Sequence, residues 1–264
     1  MPRPAEPVRR IAVVSHGEPG VIAGAVARLE AVAAAAGVEI VDGDDVDLAV
    51  VLGGDGTTLR GLHRFLGTPV PVIGVNFGRV GFLSAMGPKT MEEGLTRAFA
   101  GERRVVALPT LDVDVDGLAG IAINDVVCAT SAIGRMVELA WSVGGEDLGT
   151  QPCDGVICST STGSTAYNLS SGGPVLVWGL DAMAVTFVSP HSLHARPLVV
   201  PRGLELVVRN ETHNAAAKVI ADGVPIGDLG QGRKASVRLG ELRALLALLP
   251  EMTFFHRYHE TFAP

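Results

Sequence analysis

Over the first hundred residues the chain repeats one pattern, a short continuous apolar run followed by a segment with helical spacing. The apolar runs cover residues 11–14, 48–52 and 71–75, and residues 38–41 read as a further short strand. A helix of small residues is predicted over about 21–36, stopped by Gly37. Leu59, Leu62, His63 and Leu66 mark a second, and a third over about 90–100 is closed by Gly101. Apolar runs without alternation, separated by helices, predict a parallel sheet covered on both faces. Ligands of such sheets bind beyond the carboxyl ends of the strands.

After about residue 105 the period changes to two. Residues 111–116 alternate and end at Gly117, and residues 137–143 alternate and end at Gly144-Gly145. Further short runs at 184–188, 205–209, 218–221 and 236–239 continue the series. Alternation with glycine turns predicts an antiparallel β domain. The expected division is an α/β domain over 1–104, a β-rich domain over 105–250, and a tail over 251–264. Phe254, Phe255, Tyr258 and Phe262 make that tail aromatic, and it is expected to pack back on the first domain.

Composition narrows the classes. With 47% hydrophobic residues among 264, the chain is not disordered, and it can bury a core without staples. A net charge of −7 argues against a general nucleic-acid binder or an anionic-membrane binder. None of the three lysines, Lys89, Lys218 and Lys234, follows a Walker A glycine pattern. Cys128, Cys153 and Cys158 sit at no metal spacing and read as reduced thiols of a cytoplasmic protein. The apolar run after Arg10 is too short for a signal core, and no uncharged apolar stretch of about 18 residues occurs. No membrane association is expected.

Three segments carry candidate chemistry. The first is Leu52-Gly-Gly-Asp-Gly-Thr-Thr58, between an apolar strand and a helix. Gly53, Gly54 and Gly56 let backbone N–H groups approach an anion, and Thr57 or Thr58 is placed to cap the helix. Phosphate is favoured at that helix N-terminus. Asp55 would repel phosphate unless it holds a metal, bonds a ribose hydroxyl or takes a proton. The second segment runs from Gly74 to Ser84, with Gly78, Arg79 and Gly81. It is either the other wall of the same crevice or a structural loop anchored by Phe77 and Phe82.

The third segment, Cys153 to Pro174, holds Asp154-Gly155 and then a run from Ser159 to Ser171 dominated by Ser and Thr. Such hydroxyls suit ribose, base edges and phosphate, and Tyr167 offers a ring to stack on a base. The plainer alternative is a polar loop that satisfies its own hydroxyls. Asn124-Asp125 interrupts the apolar run 121–127, which implies a ligand contact or a bulge. His191 and His194 have no Cys or acid close by in sequence and are read as loop hydrogen-bonding groups. His16 ends the first strand on the ligand side of the sheet.

Gly53-Gly-Asp-Gly-Thr57, Asn124-Asp125, Asp154-Gly155, Thr162-Gly-Ser-Thr-Ala-Tyr167 and Gly172-Gly-Pro174 resemble the signatures of NAD kinases. The resemblance runs in order over most of the chain. It implies a Rossmann-like, phosphofructokinase-like N-terminal domain with a parallel sheet and a C-terminal antiparallel β-sandwich. The implied activity is transfer of the terminal phosphoryl of ATP, or of polyphosphate, to the adenosine 2′-hydroxyl of NAD. Asp55 would then be the general base, and Gly53, Gly54, Gly56 and Thr57 the phosphate loop. The NAD contacts implied are Asp55, Gly56, Arg60, Asn124, Asp125, Arg135, Asp154, Thr162, Thr165, Ala166, Tyr167, Asn168, Leu169 and Ser170.

The resemblance also implies Mg²⁺ or Mn²⁺ held mainly by nucleotide phosphates, with Arg60 and Arg79 assisting, and a homodimer or homotetramer. Three positions depart from the family pattern. Asp125 stands where many members have Glu, Ser161 where Pro is common, and Val224 where Gln is frequent. A lipid or sugar kinase with the same glycine-aspartate loop, or a module that senses NAD(P) without turnover, are the alternatives. The lipid-kinase motif usually has Asn-Asp where this chain has Ala166-Tyr167.

Overall fold

The computed structural model describes residues 6–78, 81–131, 134–213 and 215–263. The chain forms two compact units, one from Met1–Ala107 with Ala244–Pro264 and the other from Leu108–Arg243.

The first unit opens with β1 (Arg10–Ser15), α1 (Pro19–Ala36), β2 (Glu39–Ile40), β3 (Leu48–Gly53), α2 (Asp55–Arg64), β4 (Val72–Asn76) and α3 (Met91–Phe99). Its strands lie in the order β2-β1-β3-β4, all parallel. All six residues of β3 are buried, which is why its sequence shows no alternation. α1 ends at Gly37, which adopts the left-handed conformation with φ 68° and donates to the carbonyls of Ala33 and Ala34.

By length and composition α1 is apolar enough to pass for a membrane span. Here Ala25, Leu29, Val32 and Ala33 are buried, and Arg28 bonds Glu92 of α3 at 2.5 Å. The helix is thus a covering layer of the α/β unit.

The second unit is built from β5 (Arg104–Val115), β6 (Leu118–Ala122), β7 (Asp125–Thr130), β8 (Val137–Val143), β9 (Glu146–Cys153) and β10 (Gly155–Ser159). A 3-10 turn (Gly163–Thr165) and the one-turn α4 (Tyr167–Ser170) follow. Then come β11 (Ala182–Val188), β12 (Leu198–Pro201), β13 (Leu206–Asn210), β14 (Ala217–Ala221), β15 (Val224–Leu229) and β16 (Lys234–Leu248). One antiparallel sheet has the order β12-β11-β10-β7-β14-β15. The other contains β16-β13-β8-β9, with β5 pairing both β16 and β6. Side chains from both sheets, among them Val113, Val156, Val185, Val208 and Val237, share one core, so the unit is a β-sandwich.

β5 enters the second unit from the first, and β16 leaves it again. The last residues of β16 join the parallel sheet, where Leu246 pairs Val72 of β4. α5 (Phe254–Phe262) then completes the first unit, capped by the Thr253 hydroxyl, which accepts from the His256 amide at 3.1 Å.

Two sequence expectations change. The apolar run 121–127 is two strands, with Ile123 and Asn124 in the bend between β6 and β7. The alternating run 236–239 lies near the start of a 15-residue strand. Its alternation fades because Ala244, Leu246, Ala247 and Leu248 are all buried. β9 and β15 escaped the pattern because they are largely exposed and carry Gly or Pro, as edge strands do.

Candidate active site

In the first unit the glycine loop lies where β3 hands over to α2. Gly54 is the N-cap, in extended conformation, and Asp55 is the first helical residue. The helix therefore starts ahead of Thr57 and Thr58, and neither caps it. Their amides both donate to the Gly54 carbonyl at 3.0 Å, and both residues are buried in the first turn.

The glycines differ in purpose. A Cβ on Gly53 would stand 2.4 Å from Thr57 Oγ1, so internal packing requires glycine there. Gly54 and Gly56 face open space, so the protein's own packing does not require glycine at either position. A cleft of about 450 Å³ opens beside this loop, lined among others by His16, Gly53, Gly54, Thr57, Phe77 and Gly78. It lies past the carboxyl ends of β1, β3 and β4, where ligands of parallel sheets bind. Arg60 is exposed on the second turn of α2. Arg79 lies outside the described residues.

Asp55 does not hang free. Its Oδ2 accepts from the Phe82 amide at 2.8 Å, and its Oδ1 from the Leu83 amide at 3.2 Å and the Ser84 hydroxyl at 3.3 Å. Two carboxylate oxygens offer about four acceptor sites, so one on Oδ2 stays open to a further donor. Burial pushes the Asp55 carboxyl above its ordinary range, against the pull of those three donors and of Arg257. The segment Phe82 to Ser84 is thus the partner of Asp55, a role that short-range spacing did not reveal. Arg257, buried on α5, was equally invisible in the sequence.

In the second unit the structure gathers Asn124, Asp125, Thr162 and Gly163 at one corner. Asp125 pairs Ser159 across β7 and β10. The Asn124 carbonyl accepts from the Thr160 amide at 2.9 Å. A Cβ on Gly163 would sit 2.1 Å from that same carbonyl oxygen, so only glycine lets the turn close on Asn124. Asp222 holds the corner from behind, its carboxylate accepting from the amides of Ile123, Asn124 and Asp125 at 2.6, 2.8 and 3.0 Å. Burial raises the Asp125 carboxyl to about 6, with repulsion from Asp222 adding to it.

Four of the eight Ser and Thr hydroxyls from Ser159 to Ser171 work internally, so the run is in part the polar loop that satisfies itself. Thr160 Oγ1 donates to the Ile123 carbonyl at 2.6 Å and accepts from the Thr162 amide at 3.0 Å. Ser164 Oγ bonds the Ser161 carbonyl and the Leu176 amide, and Thr165 Oγ1 the Thr162 carbonyl. Asn168 is fully buried. Its amide donates to the carbonyls of Ser164 and Pro174, and its oxygen accepts from Thr186. It holds the turn from within.

Three buried polar atoms remain without partners here: Asn124 Oδ1, Ser161 Oγ and Thr162 Oγ1. Buried polar groups are normally paired, so this corner is built to meet something polar. Ala166, Tyr167 and Ser170 are exposed on the rim, with Leu169 half-buried. Asp154 sits at the opposite end of β10, where its carbonyl accepts from Thr130. Five strand residues separate it from Thr160, roughly 20 Å. Arg135 is exposed shortly after β7. Val224 is 61% exposed at the start of β15, beside the Asp222-Gly223 turn. The amide of His191 is bonded to the Pro152 carbonyl, consistent with a loop role.

The first unit presents a glycine cradle with an anchored carboxylate and the second a corner of unpaired polar atoms, features that suit a phosphotransferase acting on a nucleotide. Residues 23–103 match the ATP-NAD kinase N-terminal domain and residues 123–248 the ATP-NAD kinase C-terminal domain. The NAD kinase of Gemmatimonas aurantiaca is 38% identical over 219 residues, covering 80% of this chain and 75% of the relative. That of Heliobacterium modesticaldum is 38% identical over 220 residues, covering 81% and 78%. The chain belongs to the NAD kinase family.

Among solved structures, an NAD kinase from Archaeoglobus fulgidus in complex with ATP superposes with a TM-score of 0.79 at 28% identity, covering 94% of this chain and 98% of that one. Yeast NADH kinase complexed with NADH gives 0.85 at 21% identity, over 96% and 87%, a likeness of fold.

Proposed function

We propose that the protein transfers the terminal phosphoryl group of ATP to the adenosine 2′-hydroxyl of NAD, forming NADP. The observation that carries the mechanism is the Asp55 carboxylate, fixed at the N-terminus of α2 with one acceptor site open. A hydroxyl bonded to that site is oriented by Asp55 and loses its proton to it as the new P–O bond forms and the bond from the terminal phosphorus to the bridging oxygen breaks, releasing ADP. The upward push of burial on the Asp55 carboxyl makes it a better base near neutral pH. Phosphoryl transfer otherwise needs positioning and charge stabilisation. Backbone N–H groups of the open loop at Gly54 and Gly56, the α2 N-terminus and Arg60 are suited to supply them. Polyphosphate is the alternative donor of the same chemistry.

On this reading Asn124, Asp125 and Thr162 take ribose hydroxyls or base edges, which would satisfy the orphaned Asn124 Oδ1 and Thr162 Oγ1. Ser161 Oγ, where the family often has Pro, adds a third such atom. Thr165, Ala166, Tyr167, Leu169 and Ser170 form the rim, Asn168 supports it, and Asp154 and Arg135 serve a separate part of the dinucleotide.

No group of three or more His, Cys, Asp or Glu able to hold a metal occurs among the described residues. Protein side chains alone thus do not fit a resident Mg²⁺ or Mn²⁺. Such an ion would arrive on the donor's phosphates, whose oxygens suit a hard cation. The expected assembly is a homodimer or homotetramer. The expected compartment is the cytoplasm.

Incubation with NAD, ATP and Mg²⁺ tests the reading. The expected product is reduced by a strictly NADP-dependent dehydrogenase. Tight NAD binding by calorimetry without such a product overturns turnover in favour of a sensing module.

A further inference from the structure

The aromatic tail is a clamp on the loop that holds Asp55. Phe254, Tyr258 and Phe262 recur every four residues on α5 and so share one face. The Phe82 ring lies 6.0 Å from that of Phe254 and 5.7 Å from that of Phe262. Arg257, on the same helix, is 7% exposed. Its Nη2 donates to the Ser84 carbonyl and its Nη1 to Glu260 at 3.3 Å. The segment that α5 grips, Phe82 to Ser84, is the one whose two amides and hydroxyl hold the Asp55 carboxylate. The start of the tail is fixed independently, by Arg104 Nη2 on the Met252 carbonyl at 2.6 Å and Arg97 on Glu251 at 2.7 Å.

We propose that Arg257 is a positioning residue for phosphoryl transfer: through Ser84 it fixes the loop that aims the Asp55 carboxylate. This rests on Asp55 as the acting carboxylate. A buried guanidinium is costly to place unless it serves a partner, and among the described residues Arg257 has only Glu260 as an ion-pair partner. The charged groups facing it are Asp55 from α2 and Glu260 from α5. Glu93 and Arg97 of α3, with Glu251, line the adjoining hollow. The positive charge pulls the Asp55 carboxyl down while burial pushes it up. Removing the charge therefore raises the pH at which Asp55 ionises.

The test compares Arg257→Met, Arg257→Lys and Ser84→Ala in the full chain, with folding checked by circular dichroism. Arg257→Met is expected to lower kcat about 100-fold, with KM for NAD within about twofold. The acidic limb of the kcat–pH profile should move up by about one unit. Arg257→Lys keeps the charge, so it should restore the limb and part of kcat. Ser84→Ala, which loses one bond to Oδ1, should lower kcat several-fold and carries the test with Arg257→Lys if Arg257→Met does not fold.

Folded variants with wild-type kcat and an unmoved limb overturn the proposal. So does a loss of kcat that leaves the limb in place and that lysine does not relieve, since that is a structural role only. Asp55→Asn separates the two assignments. If it retains wild-type turnover, the reading of Asp55 has failed. If it is inactive while the Arg257 variants behave as wild type, the inference about Arg257 alone has failed.

Discussion

The Phe82 amide donates to Asp55 Oδ2 at 2.8 Å, tying the first residue of α2 to a loop 27 residues further along the chain. Gly81, immediately before Phe82, makes that approach possible. A Cβ there would stand 2.2 Å from Asp55 Oδ1 and 2.4 Å from its Cγ.

Gly81→Ala should therefore swing the carboxylate off its donors without touching the cleft itself. The expected result is a drop in kcat of about 100-fold, as a misplacement near 1 Å can produce. NAD affinity by calorimetry should change little. Wild-type kcat in the alanine variant would show that Asp55 does not need this anchoring.

Asp222 has a left-handed backbone, φ 46°, in the turn between β14 and β15, and Gly223 follows it at φ 81°. From there it serves three successive amides in the bend after β6. Asp222→Ala would leave those donors without their charged acceptor. A loss of about 3 kcal/mol in urea unfolding is expected, together with weaker NAD binding, because Asn124 would lose its fixed position. Asp222→Asn should retain part of both. A variant as stable as the parent would disprove the bracing role.

The buried Asp125 makes stability depend on pH in a definite direction. Its folded-state value is raised to about 6, so the native state holds the proton longer than the unfolded chain does. The ionised form is penalised, and stability from this group falls as pH rises from about 4 to about 6. Asp125→Asn should raise Tm at pH 7.5 by roughly 3 °C or more. That gain should shrink to a small remainder by about pH 4, where the folded carboxyl is protonated and the unfolded one about half so. Thermal melts of both proteins at the two pH values check this, and a gain independent of pH would refute it.

Chelation should separate turnover from folding. With no cluster of metal ligands among the described residues, EDTA is expected to stop NADP formation while leaving Tm within about 1 °C. A cation that travels with the nucleotide does not stabilise the free protein. A clear fall in Tm on chelation would reveal a metal held by the protein alone.

Much of the architecture was legible because burial sets the period of a sequence. β3 is buried along its whole length and reads as continuous apolar residues, while Leu111 to Val115 alternates and is half-covered. Gly37 and Gly117 announced the ends of their elements because each needs a positive φ. β15, with Pro225 and Gly227 on an edge, had no such signature. The candidate residues were legible as identities, but their standing was not. Thr160 and Thr162 look alike in sequence, yet the first hydroxyl is used inside the turn and the second is left unpaired.

By itself, then, the sequence determined the two fold classes, the glycine loop with Asp55, and the hydroxyl-rich turn, because these depend on residues close together in the chain. Tertiary structure decided what anchors them. Asp55 bonds a loop 27 residues away, Asp222 an amide 99 residues away, and Arg257 a carbonyl 173 residues away. Local propensity carries no record of such pairings. They come about when burial excludes water and each polar group must find its partner within the protein.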